Sequence, residues 1–139
     1  MIGPAMSEPS CALAEADAIL ARAADEVEAL LREAARRLRP FPAFPGALFS
    51  FGVEAEAEGV LDHSVGCVVV TEDGELKELQ IGIAGEGPGL LGPPDPVSMR
   101  EEQLVDVELS PHDRLLFAYQ GLRAVTRLLA ERAATAEPG

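Results

Sequence analysis

The chain has 139 residues, the length of one domain that buries most of the surface its unfolded form exposes. Its 24 acidic and 11 basic residues give a formal net charge of −13. This charge argues against binding to nucleic acid or a membrane surface, because both depend on Lys and Arg. Aromatic side chains are scarce (five Phe, one Tyr and no Trp), which also argues against a base-stacking platform.

The first residues predict a flexible amino terminus rather than a targeting signal. Residues 1–10 are rich in Gly and Pro, and residues 1–12 lack the basic and apolar regions of a signal peptide. No apolar run approaches the roughly 20 residues that a membrane-spanning helix needs. The two cysteines, Cys11 and Cys67, form neither a CxxC pair nor a disulfide framework. We therefore expect a cytoplasmic protein without membrane association. The absence of Asn and the excess of Arg over Lys are compatible with a thermophilic source and equally with GC-rich coding.

A long helix is predicted from Ser10, or from Pro9, to the residue before Pro40. Its residues are mostly Ala, Leu, Glu and Arg, which are strong helix formers. Apolar residues recur in alternating steps of three and four, as in a heptad seam; they are Leu13, Ala16, Leu20, Ala23, Val27, Leu30 and Ala34. Four arginines near the end complement the helix dipole, an interpretation we favour over an anion site; they are Arg32, Arg36, Arg37 and Arg39.

The proline-rich segment 40–46 predicts a connector, with Phe41 and Phe44 plugging the edge of the core. A first strand is expected around residues 49–57, because small or apolar residues alternate there with Ser, Gly and Glu. Its apolar set is Phe49, Phe51, Val53, Ala55 and Ala57, and its outer set includes Glu54, Glu56 and Glu58. We expect this acidic row to be solvated rather than to bind a metal, and to protect a border strand.

Three further strands are predicted at Val65–Thr71, Leu76–Ile83 and Gln103–Leu109. The Asp73-Gly74 pair between the second and third strands indicates a two-residue hairpin turn. That turn would place Val68 opposite Leu79 and Val70 opposite Lys77. In the fourth strand, Val105, Val107 and Leu109 are expected to point inward.

A long loop is predicted between the third and fourth strands, over residues 84–102, which contain four prolines and four glycines. Unstructured loops of this length are usually functional or disordered, and we favour disorder. Gly87–Gly92 matches the GxGxxG pattern of a phosphate-binding turn, but the prolines that follow prevent the helix that this chemistry needs.

The last helix is predicted from Pro111 to about Ala133, with Ser110 as its amino-terminal cap. Apolar residues lie on two of its sides and the polar stripe is narrow, so most of the helix circumference must be covered. Gly121 would permit close approach of a neighbour. We expect residues 135–139 to form a flexible tail.

These elements predict a single α+β domain over residues 11–134. Its antiparallel four-stranded sheet, a three-strand meander plus a fourth strand, carries the amino-terminal and carboxy-terminal helices on one face. The surplus of apolar helix surface predicts a homodimer with a twofold axis. The candidate interface, between helices or between protomers, comprises Leu20, Val27, Leu30, Phe117, Gly121 and Leu128.

Candidate ligand-binding side chains are few, and the sequence predicts no catalytic residue, no cofactor and no metal. His63 and His112 are the only histidines, and neither has ligand spacing such as HxxxH. Asp62, His63 and Ser64 name the residue types of a catalytic triad, but sequence neighbours cannot adopt its geometry.

Two functional classes remain. The first is a non-enzymatic adaptor or chaperone-like module that holds a protein partner as a homodimer. The alternative is a small-molecule-binding domain or minor enzyme, with a pocket between the sheet and the loop 85–100 and with Arg100 or Arg123 holding an anion. A thermal-shift screen against metabolites and metals would separate them.

Overall fold

The structure is a computed structural model that describes residues 8–44, 51–83 and 100–136. In chain order its elements are α1 (Glu8–Arg37), β1 (Val53–Glu54), β2 (Cys67–Val70), β3 (Leu76–Ile83), β4 (Arg100–Asp106) and α2 (Pro111–Ala136). The strands are neighbours in the order β1-β2-β3-β4, and every pair is antiparallel. The two helices pack on each other, and α2 contacts β1 and β2. The predicted α+β architecture is confirmed.

The carboxy-terminal end of α1 is capped by Arg39. Its Nη1 donates hydrogen bonds to the carbonyl oxygens of Ala35 (3.1 Å), which also accepts one from the Leu38 N–H, and of Leu38 (2.9 Å), the residue after the helix. The guanidinium also lies 5.9 Å from the ring centroid of Phe41. Phe41 is buried, as the connector prediction required. A dipole-complementing role is therefore confirmed for Arg39.

The buried face of α1 is not centred on the predicted heptad seam. Its fully buried residues are Ala24, Leu31 and Ala35, and Leu38, the residue after the helix, is fully buried as well. Leu20 and Val27 of the seam are only half-buried, while Leu13 is 64% and Leu30 is 54% exposed. Two apolar stripes lie side by side on this helix, and helical periodicity alone does not choose which one faces the core.

The hairpin between β2 and β3 differs from the prediction by one residue. Val70 pairs with Leu76 and Val68 pairs with Glu78, whereas the sequence predicted Lys77 and Leu79. The loop contains three residues, closed by hydrogen bonds from Thr71 N to Glu75 O and from Gly74 N to Thr71 O. Within this loop only Gly74 has a positive φ (80°), so a single glycine adopts the left-handed conformation. A two-residue type I′ turn would have required it of Asp73 as well.

β1 is shorter than predicted. Val53 and Ala55 are buried and Glu54 is exposed, in agreement with the expected alternation. Phe51 is 56% exposed, so its predicted inward orientation was wrong. This end of the strand forms a bridge with Ala43 of the connector and lies outside the ladder with β2. β1 is the border strand of the described sheet, and Glu54 in it and Glu56 and Glu58 after it are exposed as expected.

β2 and β4 begin or end at different residues from those predicted. β2 lacks the two outer residues predicted at its start, and β4 begins and ends three residues earlier than predicted. β4 begins early because its pairing with β3 continues to the end of that strand, where Arg100 pairs with Ile83. Val107 and Leu109 nevertheless point inward, since they line a cavity with residues of both helices.

The core lies between the helices and one face of the sheet, and Gly121 of α2 is at its tightest point. A Cβ atom at this position would lie 2.7 Å from Cγ2 of Val70, and also close to side-chain atoms of Leu31 and Ala55. The close approach expected at Gly121 is therefore present. The buried cluster consists of Leu31, Ala35, Leu38, Phe41, Val53, Ala55, Val68, Val70, Phe117 and Val125.

α2 begins at Pro111 as predicted and ends at Ala136. Ser110 caps it, since its hydroxyl accepts a hydrogen bond from the Asp113 backbone N–H (3.3 Å). The exposed side of the helix is wider than predicted, because Tyr119 and Thr126 join the polar stripe on the surface. Much of the circumference is still covered within one chain. Neither α1 nor α2 combines the length and apolar character needed to cross a membrane.

Candidate functional site

An ion-pair cluster joins the two helices at one end of the core. The guanidinium of Arg114 donates from Nε to Glu28 Oε2 (2.6 Å) and from Nη2 to Glu28 Oε1 (3.0 Å), and Nη2 also binds Asp25. These hydrogen bonds, those to Glu28 first, raise the pKa of Arg114. The cluster borders a cavity of about 170 Å³ under Gly74 of the hairpin turn. The guanidinium of Arg114 forms a bidentate contact with the Glu28 carboxylate. Because this contact joins the two helices, the role of Arg114 is to hold α2 against α1.

We expect Arg114→Met to lower the free energy of unfolding by about 1–2 kcal/mol, because Glu28 is mostly buried and would lose its partner. Equilibrium urea denaturation measures this difference. Arg22→Met is the matched control, since Arg22 is an exposed arginine of α1. Equal stabilities of the two variants would contradict a clamping role for Arg114.

Asp113 is a buried carboxylate that ties the start of α2 to the loop between β1 and β2. Its Oδ1 accepts a hydrogen bond from the Leu61 N–H (2.8 Å) and its Oδ2 accepts one from the Asp62 N–H (3.1 Å). His112 Nδ1 lies 2.9 Å from Oδ1. Burial acts to raise the pKa of Asp113, but these hydrogen bonds outweigh it and hold the pKa below its usual range. In the sequence alone, Asp113 is simply an acidic residue in the first turn of the last helix.

The two histidines occupy different settings. The His112 side chain is partly exposed and is oriented by Asp113. His63 is exposed in the loop before β2 and lines a groove that includes Phe117. The neighbouring Asp62 is held by the N–H and hydroxyl of Ser64 (2.9 and 2.6 Å), so the three adjacent residues do not form a triad. Among the described residues, no group of three or more His, Cys, Asp or Glu could hold a metal ion.

The two candidate anion-binding arginines lie on different elements. Arg100 is the first residue of β4. The loop 84–99, which with Arg100 made up the predicted pocket, lies outside the described residues, as does the GxGxxG segment. Arg123 is an exposed residue of α2.

Arg123 lines a groove between α2 and the border strand. The groove has a volume of about 340 Å³ and is formed by Glu54, Glu56, Gln120, Arg123, Ala124 and Arg127. Burial, and then the like charge of Glu56, raise the pKa of Glu54. Sequence analysis treated the glutamates and Arg123 separately and missed Arg127 as their neighbour. Arginines four apart on a helix share one face, but nothing in the sequence indicates that this face meets β1.

The candidate interface residues divide between surface and core. Phe117 and Gly121 are buried within the chain and Leu128 packs against the same core, so all three have partners in one protomer. Leu30 is exposed, and Val27 beside it on the helix is half-buried. With Ile19, which is 52% exposed, and the half-buried Leu20, they form an apolar stripe on the outer side of α1, whereas Leu13 lies five helical turns before the buried Leu31 and therefore on the core-facing side.

No protein-family model matches the chain, and neither a curated protein nor a solved structure does. The surfaces just described are therefore the features that indicate a function.

Proposed function

We propose that this protein is a non-enzymatic interaction module, an adaptor or chaperone-like domain that works as a homodimer. The observation that carries the proposal is the outer stripe of α1, defined as Ile19, Leu20, Val27 and Leu30. Ile19 and Leu30 are more than half exposed although they are large and apolar. Contiguous exposed apolar surface of this kind marks protein interaction sites in soluble proteins.

The charges of α1 favour a second copy as the occupant of this stripe. Glu15 and Asp17 lie in the amino-terminal half of the helix, and Arg36 and Arg37 lie in its last turn. Two α1 helices packed antiparallel about a twofold axis would place the acidic half of each beside the basic end of the other. The same arrangement brings the outer stripes together, with small Ala side chains between the Leu, Ile and Val residues.

Size-exclusion chromatography with light scattering tests this proposal. The wild-type chain is expected at twice its mass of 14.6 kDa at micromolar concentration. Leu30→Glu is expected to be monomeric, because it would bury a carboxylate in the apolar interface. Ala29→Glu adds the same charge to the exposed adjacent position and is expected to remain dimeric. A monomeric wild-type chain would refute the dimer.

A further inference from the structure

The outer edge of β1 already accepts a strand at one end. The Gly52 N–H donates a hydrogen bond to Pro42 O (3.0 Å), and Ala43 forms an antiparallel bridge with Phe51. The connector therefore pairs with this edge in the manner of an added strand. Beyond Gly52, β1 and the residues that follow line the groove instead.

The backbone of the next residues continues the same edge. Ala55 N donates to Val68 O (2.9 Å), so the hydrogen-bonding groups of Ala55 face β2. Because these groups alternate in direction along an extended chain, those of Glu54 and Glu56 face outward, as those of Gly52 do. Within residues 8–44, 51–83 and 100–136, the backbone groups of Glu54 and Glu56 have no partner on this outer side.

The helical wall of the groove offers positive charge. Arg123 donates only a long hydrogen bond to Gln120 Oε1 (3.4 Å), and Arg127 forms no hydrogen bond or ion pair with another described residue. Ala124 between them leaves room for a ligand. Two exposed guanidinium groups one helical turn apart are suited to carboxylates at alternate positions of an extended chain.

The opposite side of the edge offers negative charge. Glu54 pairs with Val69, on the face of the sheet turned away from α2, whereas Val70 contacts Gly121 of α2. Glu56 is exposed close to Glu54. A strand added to β1 would thus meet arginines on one of its faces and glutamates on the other.

We propose that this groove binds an extended peptide segment of a partner protein as a fifth strand. Its acidic side chains would lie towards Arg123 and Arg127, and its basic side chains would lie beside Glu54 and Glu56. Successive side chains of a strand point to opposite faces, so the preferred segment alternates acidic and basic residues. This inference rests on the proposed interaction function but uses no residue of α1.

Fluorescence anisotropy with two labelled hexapeptides of equal composition tests the inference. One alternates Glu and Lys, and the other has three Glu followed by three Lys. The alternating peptide is expected to bind the wild-type chain at least about tenfold more tightly than the block peptide. The double variant Arg123→Ala/Arg127→Ala is expected to lose at least about tenfold in affinity for it. The control Arg22→Ala/Lys77→Ala removes the same charge elsewhere and is expected to bind as wild type.

Amide resonances of Glu54 and Glu56 are expected to shift on addition of the alternating peptide. Equal affinity for the two peptides would overturn strand addition, because it would indicate unspecific charge attraction. Unchanged binding by the Arg123/Arg127 variant would overturn the assigned orientation, and absence of binding would overturn the site. The titration is repeated with Leu30→Glu to separate this site from the dimer. Failure of the proposed dimer would appear in light scattering, whereas failure of this site would appear in the peptide titration.

Discussion

Replacing Gly74 with alanine is expected to lower the free energy of unfolding by about 2–4 kcal/mol. The glycine has a φ of 80°, which an L-residue adopts only with strain. In addition, its Cβ would overlap the Cα of Arg32 and lie 3.0 Å from the Cγ of the same residue. Backbone of a buried helix face cannot move aside as a flexible side chain can. Thermal or urea unfolding followed by circular dichroism measures the loss.

Gly59→Ala is the matched control for this prediction. Gly59 has nearly the same φ (84°), but a Cβ there would meet nothing within 4 Å. Its substitution is expected to cost only the conformational strain, about 1–2 kcal/mol. The difference between the two variants therefore measures how firmly the hairpin turn is held against α1. Equal losses would mean that the turn moves away from Arg32 without cost.

Asp113→Ala is expected to lower the free energy of unfolding by about 2–4 kcal/mol at neutral pH. The substitution leaves the backbone N–H groups of Leu61 and Asp62 without their acceptor and removes the partner of His112. The loop between β1 and β2 would lose its attachment to α2. Urea denaturation at pH 7 measures the loss, and hydrogen exchange at Leu61 and Asp62 reports whether the loop is released.

The contribution of Asp113 is expected to depend on pH. The folded-state pKa of this carboxyl is lowered, so the folded chain favours its ionised form more than the unfolded chain does. The stabilisation is present above the unfolded pKa, about 3.9, and is lost as the pH falls through the lower folded value. The stability difference between wild type and Asp113→Ala should therefore be constant near neutral pH and shrink below about pH 4.

Asp106→Ala is the control for both measurements on Asp113. Asp106 is an exposed carboxylate whose pKa is also lowered, by its hydrogen bond to Lys77. Because it is surrounded by solvent, its removal is expected to affect stability far less than the removal of Asp113. Comparable losses in the two variants would show that burial of Asp113 has no energetic consequence.

The two proposed surfaces have different physical characters. The outer stripe of α1 is apolar, whereas the groove beside β1 is charged on both walls. Apolar surface supports a lasting contact such as a dimer, while charge patterning favours selective binding of a segment. A dimer built on α1 leaves the groove of each copy free, because no residue of α1 lines it. Such a dimer would hold two peptide segments at once.

Local chemistry allowed the elements themselves to be predicted. Ser110 and Pro111 determine where α2 begins, and the strand pattern of Leu76–Ile83 was recovered without change. Gly121 was identified as a point of close approach because a glycine inside an apolar helix face otherwise costs stability. The prediction of the hairpin register failed, since Asp-Gly is compatible with both two-residue and three-residue loops.

The candidate site depended on distances that sequence patterns do not contain. Asp113 looks like an ordinary first-turn acid, and its burial arises only because Leu61 and Asp62 fold over it. Arg127 appears as one residue of a polar stripe until β1 is placed beside α2. Each of these contacts joins residues far apart in the chain, where no periodicity links one partner to the other.

The sequence by itself determined the order and type of the elements, the antiparallel meander and the acidic surface, because caps, turns and alternation act over a few residues. Only the tertiary structure decided which stripe of α1 faces the core, that Gly74 rests on Arg32, and that β1 borders the arginines of α2. The physical reason is that α1 has two apolar stripes of similar width, and in an isolated helix either could become the buried face. Packing against the sheet and the second helix selects one of them.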